Sequence, residues 1–336
     1  MPIVTTEHFK NGNLPLSKNG IPQVSDDDYH RLRGYKLEKD DIVFSRVGSI
    51  DINAYVEQSQ QGWLFSGRVL RVRPIKSVNS LCLHYILSTE SVKRSIRNRA
   101  VGQTMPSINT PILSNTKINI PQSVVEQKKI ANLLSLLDER ITTQSKIIDK
   151  LQSLIKGIRN DVFGKLRKDI GLNAKVGDVL SYEQPQPYIV EDTEYTAGGT
   201  PVLTANKAFV LGYTSETDGI YDKGDCIIFD DFTLDCKYVD FPFKVKSSAI
   251  KILTAKNKEL LRYTFEFLKY LDLSTDEHKR HYIAETQNQE FILPTTQIVR
   301  TIAHAFSTLS SRMQTIVKQR DMLELQKQYL LRQMFI

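Results

Sequence analysis

Apolar residues recur at alternating steps of three and four along two long stretches of this 336-residue chain. The first stretch runs from Ile130 to Val162 and the second from Ile302 to Met334. This spacing places apolar side chains along one helix face and is typical of a coiled-coil seam. Each stretch therefore predicts a long helix, and the two seams predict that the helices pack on each other as an antiparallel pair.

The two stretches are copies of one sequence. Residues 130–163 match residues 302–335 at a constant shift of 172 without a gap, and 10 of 34 positions are identical. At about 1.5 Å per residue, each helix would be roughly 50 Å long. Polar residues interrupt the seams at Gln144, Arg320 and Lys327. These residues either fix the register of the pair or mark frayed ends.

Each long helix follows a block of strand-like sequence. The segments Lys39–Phe44 and Lys223–Ile228 both lead from a Lys/Asp turn into a short apolar run, which predicts a buried strand. Further matched elements are predicted in the two halves: strands at 68–73, 243–245 and 249–253, and helices at 81–97 and 258–271. An extended stretch then leads to Pro121 in the first half and to Pro294 in the second. We expect these two prolines to open the long helices. The fold class is therefore α+β, with two mixed α/β domains and two long helices in a pseudo-two-fold repeat.

The matched segments predict four divisions of the chain. They are a first domain at 1–120, a first long helix at 121–168, a second domain at 169–293 and a second long helix at 294–336. Pro2–Thr5 resembles Pro201–Thr204, but the second domain has about 25 residues before this match, including a predicted first strand at Lys175–Leu180. We therefore expect the first domain to be incomplete at its N-terminus, with an open sheet edge or an incomplete core.

Charge is distributed unevenly along the chain. The net charge of +7 divides into +6 for residues 1–120, +5 for 121–168, −8 for 169–294 and +4 for 295–336. The first block and the helices suit a polyanion by net charge, whereas the third block would need a local basic patch. Three cysteines without a CxxC pair, no signal peptide and no membrane-length apolar run indicate a cytoplasmic protein.

A search for catalytic motifs mostly returns absences. The chain has no phosphate loop, GxGxxG turn, HExxH or GxSxG motif. His278 and His281 could seed a metal site, but we interpret them as surface histidines. Asp230, Asp231 and Asp235 could bind a cation, but we interpret them as a solvated acidic loop. No catalytic residue and no metal ligand is therefore assigned.

Two segments carry signals for nucleic-acid binding. Each lies shortly before a long helix and combines basic residues with amide or hydroxyl side chains, which can contact phosphates and base edges. A solvated helix face is the alternative for the basic cluster near residue 97. The candidate DNA contacts are Lys93, Arg94, Arg97, Gln103, Thr104 and Asn109 in the first half, and Lys279, Arg280 and Gln287 in the second half.

The start of the first long helix resembles a known family. Ile120-Pro121, then Glu126 to Ala131, then Leu137-Asp138-Glu139 resemble the segment that opens the spacer helix of type I restriction–modification specificity subunits. The second copy, from Leu293-Pro294 to Ile302-Ala303, lacks the Glu-Gln pair. The segment from Thr204 to Val239 is also similar to second-domain sequences of that family, which adds Thr204, Asn206 and Lys207 to the candidate DNA contacts.

The resemblance implies a non-catalytic subunit that reads a bipartite site in double-stranded DNA. Such a subunit would scaffold two methyltransferase subunits and recruit restriction subunits. S-adenosylmethionine, ATP and magnesium would be bound by those partners, and no cofactor is expected on this chain.

Three alternatives remain open from the sequence. The chain could be a coiled-coil adaptor that does not bind DNA, or an enzyme whose site is too dispersed to detect. It could also be a truncated or phase-variable specificity subunit whose first half-site recognition is altered or lost.

Overall fold

The computed structural model describes residues 1–204, 208–275, 277 and 279–335. The chain divides into two compact units. Unit 1 comprises Met1–Ser145 with Lys318–Ile336, and unit 2 comprises Lys146–Val317. Both units mix helices and sheets, so the predicted α+β class is confirmed. Within the part of the chain described, no helix is long and apolar enough to cross a membrane.

The two predicted long helices are present. They span Val124–Asp169 and Thr296–Met334 and exceed the repeated segment at one or both ends. Pro121 and Pro294 lie three and two residues before the helices rather than in their first turns. Both prolines therefore precede the helices, and the expectation that they open them is wrong.

The sheet of unit 1 is built around one fully buried strand, Ile42–Ser45. This strand pairs antiparallel with Asn53–Tyr55 on one side and with Val69–Val72 on the other. A separate parallel pair joins Ile3–Val4 to Leu64–Phe65. The helices of this unit before the long helix are Asp26–Arg31, Ser80–Leu87, Glu90–Arg97 and Thr110–Ser114, with 3-10 turns at Thr6–Phe9, Arg33–Tyr35 and Gln58–Gln60.

Unit 2 has a larger sheet around the buried strand Cys226–Asp230. The antiparallel order is Cys236–Val239, Cys226–Asp230, Ile250–Ala255, Leu180–Glu183. Within the described part of unit 1, the three-stranded sheet has no fourth strand in the place of Leu180–Glu183. The other elements of unit 2 are strands Lys244–Val245, Thr200–Leu203 and Val210–Thr214 in one sheet, strands Glu290–Phe291 and Ala174–Lys175 as a pair, helices Val176–Val179 and Leu260–Leu271, and 3-10 turns Gln186–Tyr188 and Thr286–Asn288.

Two predicted elements differ from the structure. The helix expected at Leu81–Arg97 is two helices, because Thr89 is extended (φ −69°, ψ 147°) and its hydroxyl donates to the carbonyl of Ile86. The strand expected at Lys175–Leu180 is a helical turn at its centre. There the carboxylate of Asp178 accepts the backbone N–H of Lys175 at 2.8 Å, which favours a helix start.

Within each unit, segments of the two long helices pack in opposite directions. In unit 1, a groove is lined by Glu139 to Gln144 from the first helix and by Gln319 to Gln326 from the second, while Phe335 packs in the same core as Ala131. In unit 2, Arg159 lies 5.7 Å from the ring centroid of Phe306, while Phe163 shares a core with Ile302. The predicted antiparallel pairing is therefore seen inside each unit.

Candidate nucleic-acid interface

In unit 1, the candidate loop lies at the exit of the central strand. Arg46 follows the buried strand Ile42–Ser45, and its carbonyl accepts the backbone N–H of Ile108 at 2.9 Å. The N–H of Gly48 donates to the carbonyl of Pro106 at 2.9 Å. Val101 and Ser107 exchange two backbone hydrogen bonds and close the loop on itself. The loop that carries Gln103 and Thr104 is therefore fixed at the strand end, with both side chains exposed.

The closure of this loop depends on a glycine. Gly102 has φ +99°, and a Cβ there would lie 2.7 Å from the carbonyl oxygen of Met105. Glycine alone enters this backbone conformation without steric cost. Gly102 thus determines the tight turn that presents Gln103 and Thr104.

Arg46 and Arg68 lie on the surface beside this loop, although neither is among the candidate DNA contacts predicted from the sequence. The N–H of Arg46 donates to the carbonyl of Arg68 at 3.0 Å, and both side chains are exposed. A guanidinium nitrogen of Arg46 also donates to the carbonyl of Gly67 at 3.3 Å. Two arginines therefore lie beside the amide- and hydroxyl-bearing loop. The sequence signal was the position of Arg46 directly after a buried strand, which becomes informative only once the loop is known to contact it.

The other unit 1 candidates divide into exposed and engaged residues. Arg94 is exposed and Lys93 is half-buried on the helix Glu90–Arg97. Arg97 pairs with both Asp51 and Glu90, so its charge is offset locally. The Asn109 side chain accepts the backbone N–H of Ile112 at 2.9 Å and caps the following helix. Asn109 therefore has a structural role in this state.

Unit 2 places its candidate loop at the equivalent strand end. The backbone N–H of His281 donates to the carbonyl of Asp231 at 3.0 Å, and Asp231 directly follows the strand Cys226–Asp230. Ile108 makes the corresponding bond to Arg46 in unit 1. The two loops that the sequence singled out thus occupy matching positions in their units.

The basic residues of this second loop have nearby partners. Lys279 pairs with Glu277 and Glu285, and these carboxylates raise the pKa of Lys279 to about 12. The guanidinium of Arg280 lies 5.9 Å from the ring centroid of Phe232, and Arg280 is exposed. A cation over an aromatic face is held without losing its outward charge.

Four predicted contacts of the second half remain: Gln287, Thr204, Asn206 and Lys207. The amide of Gln287 donates to the carbonyl of Ile283 at 2.6 Å, and its backbone approaches Gly177 closely. Thr204 is half-buried, with its N–H bonded to the carbonyl of Phe209. Asn206 and Lys207 lie outside the described residues.

The structure corrects two interpretations of acidic and histidine residues. Asp230 and Asp231 are 5% and 1% exposed, so they do not form a solvated loop. The carboxylate of Asp230 accepts the backbone N–H groups of Phe232 and Thr233, both at 2.9 Å. His281 is buried rather than on the surface, and its Nδ1 lies 2.9 Å from Glu285, which raises the pKa of His281. His278 lies outside the described residues. Among the described residues, no group of three or more His, Cys, Asp or Glu side chains is arranged to hold a metal ion.

Both the sequence and the fold of this chain are similar to those of known proteins. Residues 1–153 match the model of the type I restriction modification DNA specificity domain. A segment of 126 residues is 45% identical to the EcoR124I/EcoR124II specificity subunit of Escherichia coli, covering 35% of this chain and 31% of that protein. A segment of 171 residues is 32% identical to the putative MjaX specificity subunit of Methanocaldococcus jannaschii, covering 49% of this chain and 39% of that protein.

The chain therefore spans well under half the length of these two relatives. The fold is similar to that of the type I restriction–modification S subunit from M. genitalium, with a TM-score of 0.66 over 90% of this chain and 84% of that chain, at 17% identity. Residues 1–153, just under half of the chain, therefore carry a type I restriction–modification DNA specificity domain, and the whole chain is similar in fold to an S subunit of such a system.

Proposed function

We propose that this chain recognises DNA for a type I restriction–modification complex, with each unit reading one half of a bipartite site. The supporting observation is that both units hold a loop with basic and amide side chains at the exit of their central buried strand. In unit 1 the loop bonds to Arg46, and in unit 2 it bonds to Asp231. Surfaces that combine arginine with amide and hydroxyl groups can bind phosphates and read base edges.

This chain would itself carry out no chemistry. Methylation and cleavage would be carried out by methyltransferase and restriction subunits, which would bind S-adenosylmethionine, ATP and magnesium. The similarity of residues 1–153 to a type I specificity domain supports this division of labour.

Co-expression with a type I methyltransferase subunit tests the proposal. Sequencing of methylated bases in the host genome should find adenine methylation at one split motif, and the methyltransferase subunit expressed alone is the control. A genome with no new split motif would contradict the proposal. Retention of complex formation without DNA affinity would instead favour the adaptor.

Binding measurements with the purified complex add an independent test. Because phosphate contacts release counterions, the logarithm of the affinity should fall linearly with the logarithm of salt concentration. An affinity that is independent of salt would argue against a DNA-reading surface of exposed arginines.

A further inference from the structure

A buried ion pair lies directly beneath the candidate loop of unit 2. The side chains of Asp231 and Lys251 are each 1% exposed, and the ammonium nitrogen lies 3.5 Å from a carboxylate oxygen. The same ammonium donates to the side-chain oxygen of Gln184 at 2.7 Å. Burial lowers the pKa of Lys251, and the neighbouring Asp231 carboxylate opposes that shift. Buried charges are costly unless they are paired, so a pair at this depth needs a reason.

The other oxygen of Asp231 bonds to the loop itself. It accepts the backbone N–H of Tyr282 at 2.8 Å and that of His281 at 3.1 Å. The carbonyl of Asp231 accepts the same His281 N–H at 3.0 Å. One residue therefore holds two consecutive backbone groups of the segment that follows Lys279 and Arg280. Hydrogen bonds to a charged acceptor are stronger than those to a neutral one.

The ring of Tyr282 also anchors the loop in the core. This ring packs 5.4 Å from Phe229 and 5.5 Å from Tyr182, centroid to centroid. The ring fixes the depth of the loop, whereas the two bonds to Asp231 fix the direction of its backbone. On the outer side, Arg280 lies over Phe232, the residue that follows Asp231.

We propose that Asp231 and Lys251 are positioning residues for DNA reading by unit 2. Asp231 clamps the backbone at His281 and Tyr282, and Lys251 holds the Asp231 carboxylate in place from below. The clamp sets where Lys279 and Arg280 stand on the surface without touching DNA itself. This inference rests on the proposed function for its DNA readout, but its structural part can be tested without DNA.

The first experiment measures amide hydrogen exchange in the full chain. Asp231→Ala should accelerate exchange at His281 and Tyr282 by about tenfold or more, since both lose a charged acceptor. Asp231→Asn keeps an oxygen toward the loop and should retain most of the protection. Asp235→Ala is a matched control, because Asp235 pairs with Lys269 and Lys237 in the same region. Unchanged exchange in a folded Asp231→Ala protein would overturn the clamp.

Buried charge and loop positioning can be separated with a double variant. Lys251→Met alone leaves the carboxylate buried without its cation and should loosen the loop. Asp231→Asn combined with Lys251→Met removes both charges but keeps the amide oxygen toward the loop, so protection at His281 and Tyr282 should return. Continued loss of protection in a stably folded double variant would contradict the proposed geometry.

The second experiment measures DNA affinity in the complex with the methyltransferase subunit. Asp231→Ala should weaken binding by about tenfold, Asp231→Asn should restore it, and Arg280→Ala should weaken binding without changing amide exchange. Faster exchange in Asp231→Ala with unaltered DNA affinity, while Arg280→Ala lowers affinity, would refute the positioning role. If the wild-type complex bound no DNA, the proposed function would fail, and the exchange data would still decide whether Asp231 is a clamp.

Discussion

Lys327 donates a hydrogen bond to the carboxylate of Asp138, although 189 residues separate the two in sequence. The same carboxylate accepts the hydroxyl of Tyr85 at 2.8 Å, and the ammonium of Lys327 lies 5.3 Å from the Tyr85 ring centroid. One carboxylate thus joins both long-helix segments of unit 1 to the helix Ser80–Leu87. Lys327 interrupts an apolar seam, and its pairing supports the register role over the frayed end. Arg320 instead pairs with Asp321 and Glu324 on its own helix.

Breaking this connection should destabilise unit 1. The two side chains are 25% and 39% exposed, so solvent screens the pair and a coupling energy of about 0.5–1 kcal/mol is expected. A double-mutant cycle with Lys327→Met and Asp138→Asn, measured by urea unfolding, would give this value. Asp138→Ala should cost more than Lys327→Met, because Tyr85 also loses its acceptor. Additive effects in the cycle would show that the pair contributes nothing to register.

Arg46→Ala should weaken DNA binding by unit 1. Its side chain is exposed, and its backbone carbonyl accepts the N–H of Ile108, at the end of the loop that carries Gln103 and Thr104. Loss of one phosphate contact should reduce the slope of log affinity against log salt by about 1. Salt-dependent binding assays would measure this change.

Arg31→Ala is the matched control for that variant. Arg31 is exposed in the same unit, on the helix Asp26–Arg31, where it pairs with Asp28. An equal fall in affinity for both variants would indicate general attraction rather than a defined surface.

Gly102→Ala should impair reading of the first half-site more than folding. A Cβ at this position meets the Met105 carbonyl oxygen at 2.7 Å, and the backbone has φ +99°, so the turn must change shape. Methylation assays should show relaxed or lost specificity for one half of the motif, with the midpoint of urea unfolding little changed. Gly34→Ala is the control, because a Cβ at Gly34 meets nothing within 4 Å. Unaltered specificity in Gly102→Ala would remove this loop from the interface.

The stability of unit 1 should depend on pH through His84. Its Nδ1 lies 2.7 Å from the side-chain oxygen of Asn53, and burial lowers the pKa of His84 from 6.5 to about 4. Below pH 6.5 the unfolded chain therefore binds a proton that the folded state resists. This contribution to the free energy of unfolding is complete above pH 6.5 and is lost as the pH falls to about 4, by up to about 3 kcal/mol.

His84→Gln isolates that contribution, because an amide does not gain a proton in this range. Urea unfolding at pH 7 and at pH 4.5 should show a smaller loss for the variant than for the wild type. Parallel pH profiles would show that His84 takes up its proton equally in the folded and unfolded states, which would contradict a pKa lowered by burial.

Local patterns predicted much of the fold for a physical reason. A seam of apolar residues specifies a helix face whatever lies opposite, so the stretches from Ile130 and from Ile302 were recognisable as long helices. The central strands at Ile42–Ser45 and Cys226–Asp230 were recognisable because a short apolar run after a turn favours a buried strand. The break at Thr89 was missed because a single extended residue leaves the helical periodicity intact on both sides.

The candidate site could be predicted only in part. The two loops were located by composition, but Asn109 caps the helix that follows it, and Arg97 is paired with Asp51, which lies 46 residues away in sequence. Arg46 could be assigned to the candidate interface only from its backbone hydrogen bond with Ile108, which lies 62 positions away in sequence. Composition can show which side chains are able to bind DNA, whereas their availability depends on neighbours that folding brings together.

The sequence by itself determined the duplicated helices, the buried strands and the resemblance to type I specificity subunits, since each depends on residues close together along the chain. Only the tertiary structure decided which polar residues are partners. Asp231, interpreted from sequence as solvated, is buried against Lys251 and bonded to Tyr282. Lys327 pairs with Asp138 because antiparallel packing brings distant segments side by side. A buried charge must find its counterpart wherever the fold provides one, and that counterpart has no fixed distance along the sequence.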